Sequence, residues 1–213
     1  MIHYKYPDAR LIVFAKAPQA GYCKTRLIPE IGEQGAAHLQ VELIYNCLSR
    51  LCHEPLCPTE LWCSPDIQHP FFKTMADNFP VSLHQQQGTD LGEKMYHAMS
   101  YRDSTYTIIV GTDCPEITSE YIESGITQLA EPQDAVIGPA EDGGYVLLAL
   151  RHVTEGLFQG ISWGTEHVFA QTVQKMKASE LIWHELETLW DLDDSQDLVR
   201  YQRLTMAQIV ADA

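Results

Sequence analysis

The stretch Ile108-Ile109-Val110-Gly111-Thr112-Asp113-Cys114-Pro115 narrows the choice of fold most. A short β-branched run that ends abruptly in a glycine, a carboxylate and a proline reads as a buried parallel strand with Asp113 at its carboxyl tip. Open α/β sheets bind ligands beyond the carboxyl ends of their strands. Asp113 is therefore a candidate site residue. As a turn alone, the same Gly-Thr-Asp-Cys-Pro would only lead into a helix capped by Thr118.

The rest of the chain alternates in the same way. Apolar runs over residues 10–16, 59–63, 81–86, 105–110, 134–139, 145–150 and 181–186 read as strands. Between them lie helical patterns near 33–52, 66–78, 93–102, 118–130 and 165–177, and a last one closes the chain to about residue 211. In the first helix Ala37, Val41, Ile44, Leu48 and Leu51 fall at spacings of four and three, which predicts one buried stripe. Thr165 is the expected cap of the helix that follows it. Strands alternating with helices predict a single α/β domain over residues 1–213 with a mainly parallel, Rossmann-like sheet flanked by helices. The strands at 134–139 and 145–150 are the exception. Only Glu141-Asp142-Gly143-Gly144 turns the chain between them, far too little for a parallel crossover, so the sheet must be mixed.

Charge limits the partners. The net charge is −15, with only 14 Lys and Arg, which argues against nucleic acid or an anionic membrane surface. An acidic protein that handles phosphorylated ligands must concentrate its few cations locally or use a metal. Residues 1–10 are polar, and the apolar run 11–15 is too short for a signal h-region or a membrane span. The expectation is a soluble cytoplasmic protein whose cysteines (Cys23, Cys47, Cys52, Cys57, Cys63, Cys114) are free thiols.

Five further segments carry residues suited to chemistry. After the first strand, the Gly- and Pro-containing loop from Ala17 to Leu27 holds Lys24 and Arg26. Backbone N–H groups and fixed cations there suit a phosphate, although the spacing is neither a Walker A loop nor a G-x-G-x-x-G turn. Gln87, Gly88 and Thr89 follow another strand, where they would read a base or ribose, or merely form a turn with Asp90 as a helix cap. Glu141 and Asp142, on a Gly143-Gly144 turn, would bind a sugar hydroxyl, act as a base or support a metal. Asp191 and Asp193 share a face by alternation, while Asp193 or Asp194 is equally a good N-cap. A hard cation takes one or two carboxylates plus phosphate oxygens, and Asp113 with one of these aspartates would make such a pair. Trp163, before a glycine, would wall a sugar ring or pack in the core.

Taken in order, Phe14-Ala15-Lys16-Ala17-Pro18-x-x-Gly21-x-x-Lys24-Thr25-Arg26-Leu27, Gly88-x-Asp90-Leu91-Gly92, Gly111-Thr112-Asp113-Cys114-Pro115, Gly138 to Tyr145 and Trp163-Gly164-Thr165 resemble a bacterial family. That family is the DUF2064 or "transferase 1" group of glycosyltransferases within the nucleotide-diphospho-sugar transferase superfamily, and the likeness spans roughly residues 10 to 200. The resemblance implies a GT-A-like fold that binds a nucleotide diphosphate. It implies that Asp113 holds a divalent metal, here as a single aspartate instead of a full Asp-x-Asp. Lys24-Thr25-Arg26, with Ala15 and Lys16, would face the phosphates, and Gln87-Gly88-Thr89 would contact the base. Asp191-x-Asp193 is similar to the late Asp-x-Asp element of related nucleotidyltransferases, with Asp193 as the second metal ligand.

The expected function is glycosyl transfer from a nucleotide sugar to a small acceptor, assisted by Mg²⁺ or Mn²⁺. Asp142 is the candidate base, and Glu141, Gly143, Gly144 and Trp163 are the candidate substrate contacts. Nucleotidyl transfer that releases pyrophosphate, and nucleotide binding without catalysis, are the alternatives.

Overall fold

A computed structural model describes residues 2–130 and 132–211, with side chains through residue 206. Its framework is a seven-stranded sheet in the order β3-β2-β1-β4-β6-β5-β7. The strands are β1 (Ala9–Lys16), β2 (Thr59–Ser64), β3 (Val81–Gln85), β4 (Tyr106–Gly111), β5 (Ala135–Pro139), β6 (Tyr145–Leu150) and β7 (Trp183–Glu185). The helices are α1 (Ile28–His53), α2 (Pro70–Asn78), α3 (Leu91–Met99), α4 (Ser119–Leu129), α5 (Val168–Ala178) and α6 (Ser195–Ala211).

β1 pairs in parallel with both β2 and β4. β6 pairs antiparallel with β4 on one side and β5 on the other. β6 alone therefore runs against the others, as the short turn before it requires. The chain leaves β1 toward β2 and β3, then returns to β4 on the other side of β1. Such a reversal of strand order opens a crevice between the loops after β1 and β4. The Lys24 loop and Asp113 flank that crevice.

Central strands are buried on both faces, which explains their continuous apolar runs. Leu11, Val13 and Ala15 face one way, with Leu61, Ile108, Val110 and Leu147, under α1, α2 and α4. Ile12, Ile109, Ile137 and Leu148 face the other way, under Met95 and Met99 of α3 and Met176 of α5. A third cluster joins Leu39 and Leu43 of α1 to Trp190, Leu192, Leu198 and Tyr201. α1 thus buries two faces, and the single stripe expected from its spacing is too narrow. Val41, placed in that stripe, is instead exposed.

Arg10 and Glu60 are both 2% exposed and pair at 2.8 Å. Arg10 also donates to the carbonyls of Ala98, Met99 and Arg102. It satisfies the orphan acceptors at the carboxyl end of α3 and ties that helix to the sheet.

Several ends differ from the sequence reading. The second helix starts at Pro70, not near residue 66, because Asp66 is spent on a turn in which its Oδ1 accepts from Gln68 N. Thr165 does not cap α5. Its hydroxyl closes a local turn, donating to Ser162 O and accepting from His167 N, and the helix begins at Val168. The strand expected over 181–186 is only Trp183–Glu185. The six cysteines are unpaired thiols. Among the described residues no helix is long and apolar enough to cross a membrane.

Candidate active site

Two adjoining compartments open at the carboxyl ends of the parallel strands. The first, of about 540 Å³, is lined by Lys16, Lys24, Arg26 and Lys94, with Ala15, Gln86, Asp113 and Asp193 among their neighbours. Four of the chain's 14 Lys and Arg residues meet there. In a protein of net charge −15 such a local concentration suits an anionic ligand, although Lys24 and Arg26 are also paired to carboxylates here.

Lys24 is the centre of this compartment. It adopts a left-handed backbone conformation (φ 46°, ψ 43°), uncommon for a residue with a side chain. That bend turns the side chain inward, where it is only 4% exposed. Its Nζ lies 3.0 Å from Asp113 Oδ1 and 3.6 Å from Asp193 Oδ1, and it donates to Leu192 O at 2.6 Å. Arg26 stays largely exposed and reaches Asp193 Oδ2 at 3.1 Å. The strand tip and the late segment are also joined directly, by Leu192 N donating to Asp113 O at 2.9 Å.

Asp194 is the N-cap of α6: its Oδ1 accepts from Gln196 N and Asp197 N. Asp197 returns the favour to the backbone N–H groups of Asp193 and Asp194. Capping therefore falls to Asp194 and leaves the Asp193 side chain to the site. Asp191 lies deeper. Burial pushes its carboxyl up to about 7, and the charges of Asp113, Asp142 and Asp193 push the same way, while Lys24 opposes them. Lys24 and Arg26 together do not match the charge of these four carboxylates.

The second compartment, about 240 Å³, lies beside the first. Its walls include Phe14, Met95, Tyr145, Trp163 and Val168, with Asp142, Asp191 and Asp193 also on its lining. Trp163 lies so close to α3 that a Cβ on Gly92 would come within 2.6 Å of the indole Nε1. Glycine at that position is what lets the ring pack there. Tyr145 meets Trp163 edge to face, with ring centroids 6.4 Å apart. Asp142 is exposed on the β5–β6 turn, and its Oδ1 accepts from Gly144 N at 2.8 Å.

Most residues expected at a site gather here: Ala15, Lys16, Lys24, Arg26, Asp113, Asp142, Gly144, Trp163 and Asp193. Others have local duties. Gln87 is exposed and lines neither compartment. Thr89 donates to Glu93 Oε2 through both its N–H and its hydroxyl. Asp90 Oδ1 accepts from Glu93 N, so this segment closes the start of α3 as a capping box would. A Cβ on Gly88 would meet Lys94 N at 2.7 Å. Glu141 turns outward to Arg200 at 2.8 Å. Gly143 accepts from Phe169 N, anchoring the turn to α5. Gln86 stands where Gln87 was expected, with its Nε2 donating to Trp62 O and Ala15 O. Lys94, Met95 and Val168 escaped the sequence reading, and Tyr145 figured there only as the end of a motif, without a role. Asp191 had a signal, its shared face with Asp193, but not its burial.

The family model described as "Uncharacterized protein conserved in bacteria (DUF2064)" matches residues 47–165. The chain belongs to the DUF2064 family. No curated protein matches it. A solved structure from Desulfovibrio desulfuricans G20, described as a "putative nucleotide-diphospho-sugar transferase", is 30% identical to this DUF2064 chain at a TM-score of 0.81, covering 90% of this chain and 85% of that one. More remote structures share the fold. The 4-diphosphocytidyl-2C-methyl-D-erythritol synthase of Anaerococcus prevotii matches at 11% identity and TM-score 0.62, over 93% of this chain and 98% of that one. A mannosyltransferase of Pyrobaculum calidifontis, in complex with GDP-Man and Mn²⁺, matches at 13% identity and TM-score 0.55, over 87% of this chain and 57% of that one. The GT-A-like, Rossmann-related architecture is thus shared by nucleotidyl- and glycosyltransferases.

Among the described residues, no three His, Cys, Asp or Glu side chains converge closely enough to cage a metal. Asp113 and Asp193 fit a different arrangement, in which Mg²⁺ or Mn²⁺ takes one or two carboxylates and fills its remaining positions with phosphate oxygens and water. Burial is the main cause of the raised Asp191 carboxyl, and the smaller part added by Asp113, Asp142 and Asp193 is what a divalent cation at those carboxylates would relieve.

Proposed function

We propose that this DUF2064 protein transfers a glycosyl group from a nucleotide sugar to a small acceptor. The observation that carries the reading is the meeting of two unlike compartments at one strand edge. Lys16, Lys24, Arg26 and Lys94 surround the Asp113–Asp193 pair in one of them, and Asp142 stands on the lining of the other.

The cationic compartment holds the diphosphate. Lys24 and Arg26 donate charge-assisted hydrogen bonds to its oxygens, the strong class of such bonds. Asp113 and Asp193 would hold Mg²⁺ or Mn²⁺, which supplies positive charge against the departing diphosphate. An acceptor hydroxyl attacks the anomeric carbon. A carbon–oxygen bond forms there as the bond to the diphosphate oxygen breaks, and the nucleoside diphosphate leaves with the bonding pair. The hydroxyl proton passes to Asp142, which the Gly144 N–H holds through one carboxylate oxygen.

The test is incubation with UDP- and GDP-sugars, with and without Mn²⁺. Free nucleoside diphosphate is the expected product. One observation favours a second reading: Arg26 lines both compartments, which is what a phosphorylated second substrate would meet. In that case an NTP would be attacked at its α-phosphorus, and pyrophosphate would appear instead. A nucleotide that raises the melting temperature without any turnover would indicate a binding protein on a transferase fold.

A further inference from the structure

We infer that the second substrate has an apolar body and presents its reactive hydroxyl from one end. This rests on the reading that the cationic compartment takes the nucleotide, and it goes further by naming the chemical class of the partner.

The walls of the second compartment carry the argument. Phe14 comes from β1, Leu91 and Met95 from α3, Tyr145 from the start of β6, Trp163 from the loop before α5, and Val168 from its first turn. Met95 and Val168 are 6% and 7% exposed, so they form fixed walls. Beyond the charged groups, the side-chain hydrogen-bonding capacity of this lining is limited to the Tyr145 hydroxyl, the Trp163 indole N–H and the Thr165 hydroxyl, the last already engaged with Ser162 O and His167 N. The Tyr145 hydroxyl is turned to Met95 Sδ at 3.8 Å. The charged side chains on the lining are Arg26, Asp142, Asp191 and Asp193. Of these, Arg26 and Asp193 also border the cationic compartment.

A polyhydroxylated ring in this cavity would meet carboxylates at one end only, and the hydroxyls set against the apolar walls would lose water without a new partner. That cost rejects it by about tenfold for each buried hydroxyl. An apolar body loses nothing there and gains the contact area of two aromatic rings. The cavity of about 240 Å³ sets the scale. At ~30 Å³ per water it takes roughly eight water-sized groups, enough for a six-membered ring with a short arm. Asp142 on the lining is the group such an arm would reach.

The probes are cyclohexanol and 2-phenylethanol, set against glucose and glycerol at equal concentration. Saturation-transfer NMR on the full nucleotide-free chain reads binding directly, and UDP- and GDP-induced melting shifts are recorded in parallel. The expected result is binding of the two apolar alcohols and none of glucose or glycerol. Trp163→Ala is expected to weaken the alcohols by about tenfold. Val168→Thr keeps the volume and introduces a hydroxyl into the wall. It is expected to weaken them as well, and it covers the case in which Trp163→Ala does not fold. Both variants should keep the nucleotide-induced shift. Binding of glucose or glycerol as strong as that of the alcohols overturns the inference. So does alcohol binding that both variants leave intact, and so does a nucleotide shift lost with alcohol binding kept, which would make the cavity a base pocket. If no nucleotide shifts the wild-type protein while alcohol binding behaves as expected, the proposed nucleotide site fails and the apolar site stands.

Discussion

Phe14, Arg26, Leu91, Gly111 and Asp193 border both compartments, yet the two are made of opposite materials. The cationic one belongs to the parallel half of the sheet. There the chain leaves β1 and β4 in opposite directions, and irregular loops bring Lys24, Arg26 and Asp113 together through ion pairs between distant segments. The apolar one belongs to the half where β6 runs backward. A reversed strand starts at the edge where its neighbours end, so it presents a strand residue, Tyr145, where they present loops. Charges set by loops and walls set by packing respond to different insults, and that difference is testable.

The largest expected effect falls on neither compartment and calibrates both. Glu60→Gln leaves Arg10 buried without its counter-charge, which should cost about 3–5 kcal/mol of stability in a denaturation series. Burial alone would raise the Glu60 carboxyl, but the hydrogen bonds from Arg10 and Trp62 outweigh it and bring the folded-state value below the ordinary 4.5. The stabilising pair is therefore fully present above that ordinary value and is lost as the pH falls through the lowered one. The variant should lose this portion of the acid dependence. Ligand binding by its folded fraction should be unchanged in both compartments.

Asp113→Asn comes next. It should lower turnover of the nucleotide sugar by about a hundredfold or more, read as nucleoside diphosphate release, while apolar alcohols still bind. Unchanged turnover would remove Asp113 from the mechanism. Lys24→Met should weaken nucleotide binding by about tenfold, as expected for the loss of one charge-assisted contact, visible as a smaller melting shift. Loss of alcohol binding in the same variant would show that the two compartments are one.

Gly92→Ala sets two effects against each other. Alanine gains about 1 kcal/mol of helix propensity. Its Cβ would also stand 2.6 Å from Trp163 Nε1 and 2.7 Å from Phe158 O. Overpacking of that kind costs about 1–3 kcal/mol, and a backbone oxygen yields little, so net destabilisation with weaker alcohol binding is expected. The smallest effect belongs to Tyr145→Phe. The hydroxyl's partner, Met95 Sδ, is a weak acceptor. Stability should move by less than about 1 kcal/mol, and the alcohols should still bind.

The same contrast governs what a reader of the sequence can see. Strand alternation exposed the sheet, and a turn too short for a crossover exposed its reversed member. Lys24, Arg26 and Asp113 were legible because each follows a strand tip and carries a charge in a short loop. Asp193 and Asp194 were not separable, since which aspartate caps α6 depends on where the helix begins. Gln87 and Thr89 looked like ligand contacts because a glycine loop after a strand serves equally well to start a helix, and Glu93 decided for the helix. Of the apolar walls only Trp163, an aromatic before a glycine, carries a local signature. Met95 and Val168 read as ordinary core residues, and they become cavity walls only because Trp163 comes to rest across Gly92.

The position of Lys24 has a consequence for anything that approaches Asp113 and Asp193. Their negative charge already has an internal tenant, covalently tethered and therefore present at all times. A cation arriving from solution is an exchange reagent, and its measured affinity is the difference between two occupants. A phosphate that draws the ammonium toward itself vacates the seat. On the proposed reading, nucleotide and cation would then assist each other's entry by the same factor, whichever arrives first.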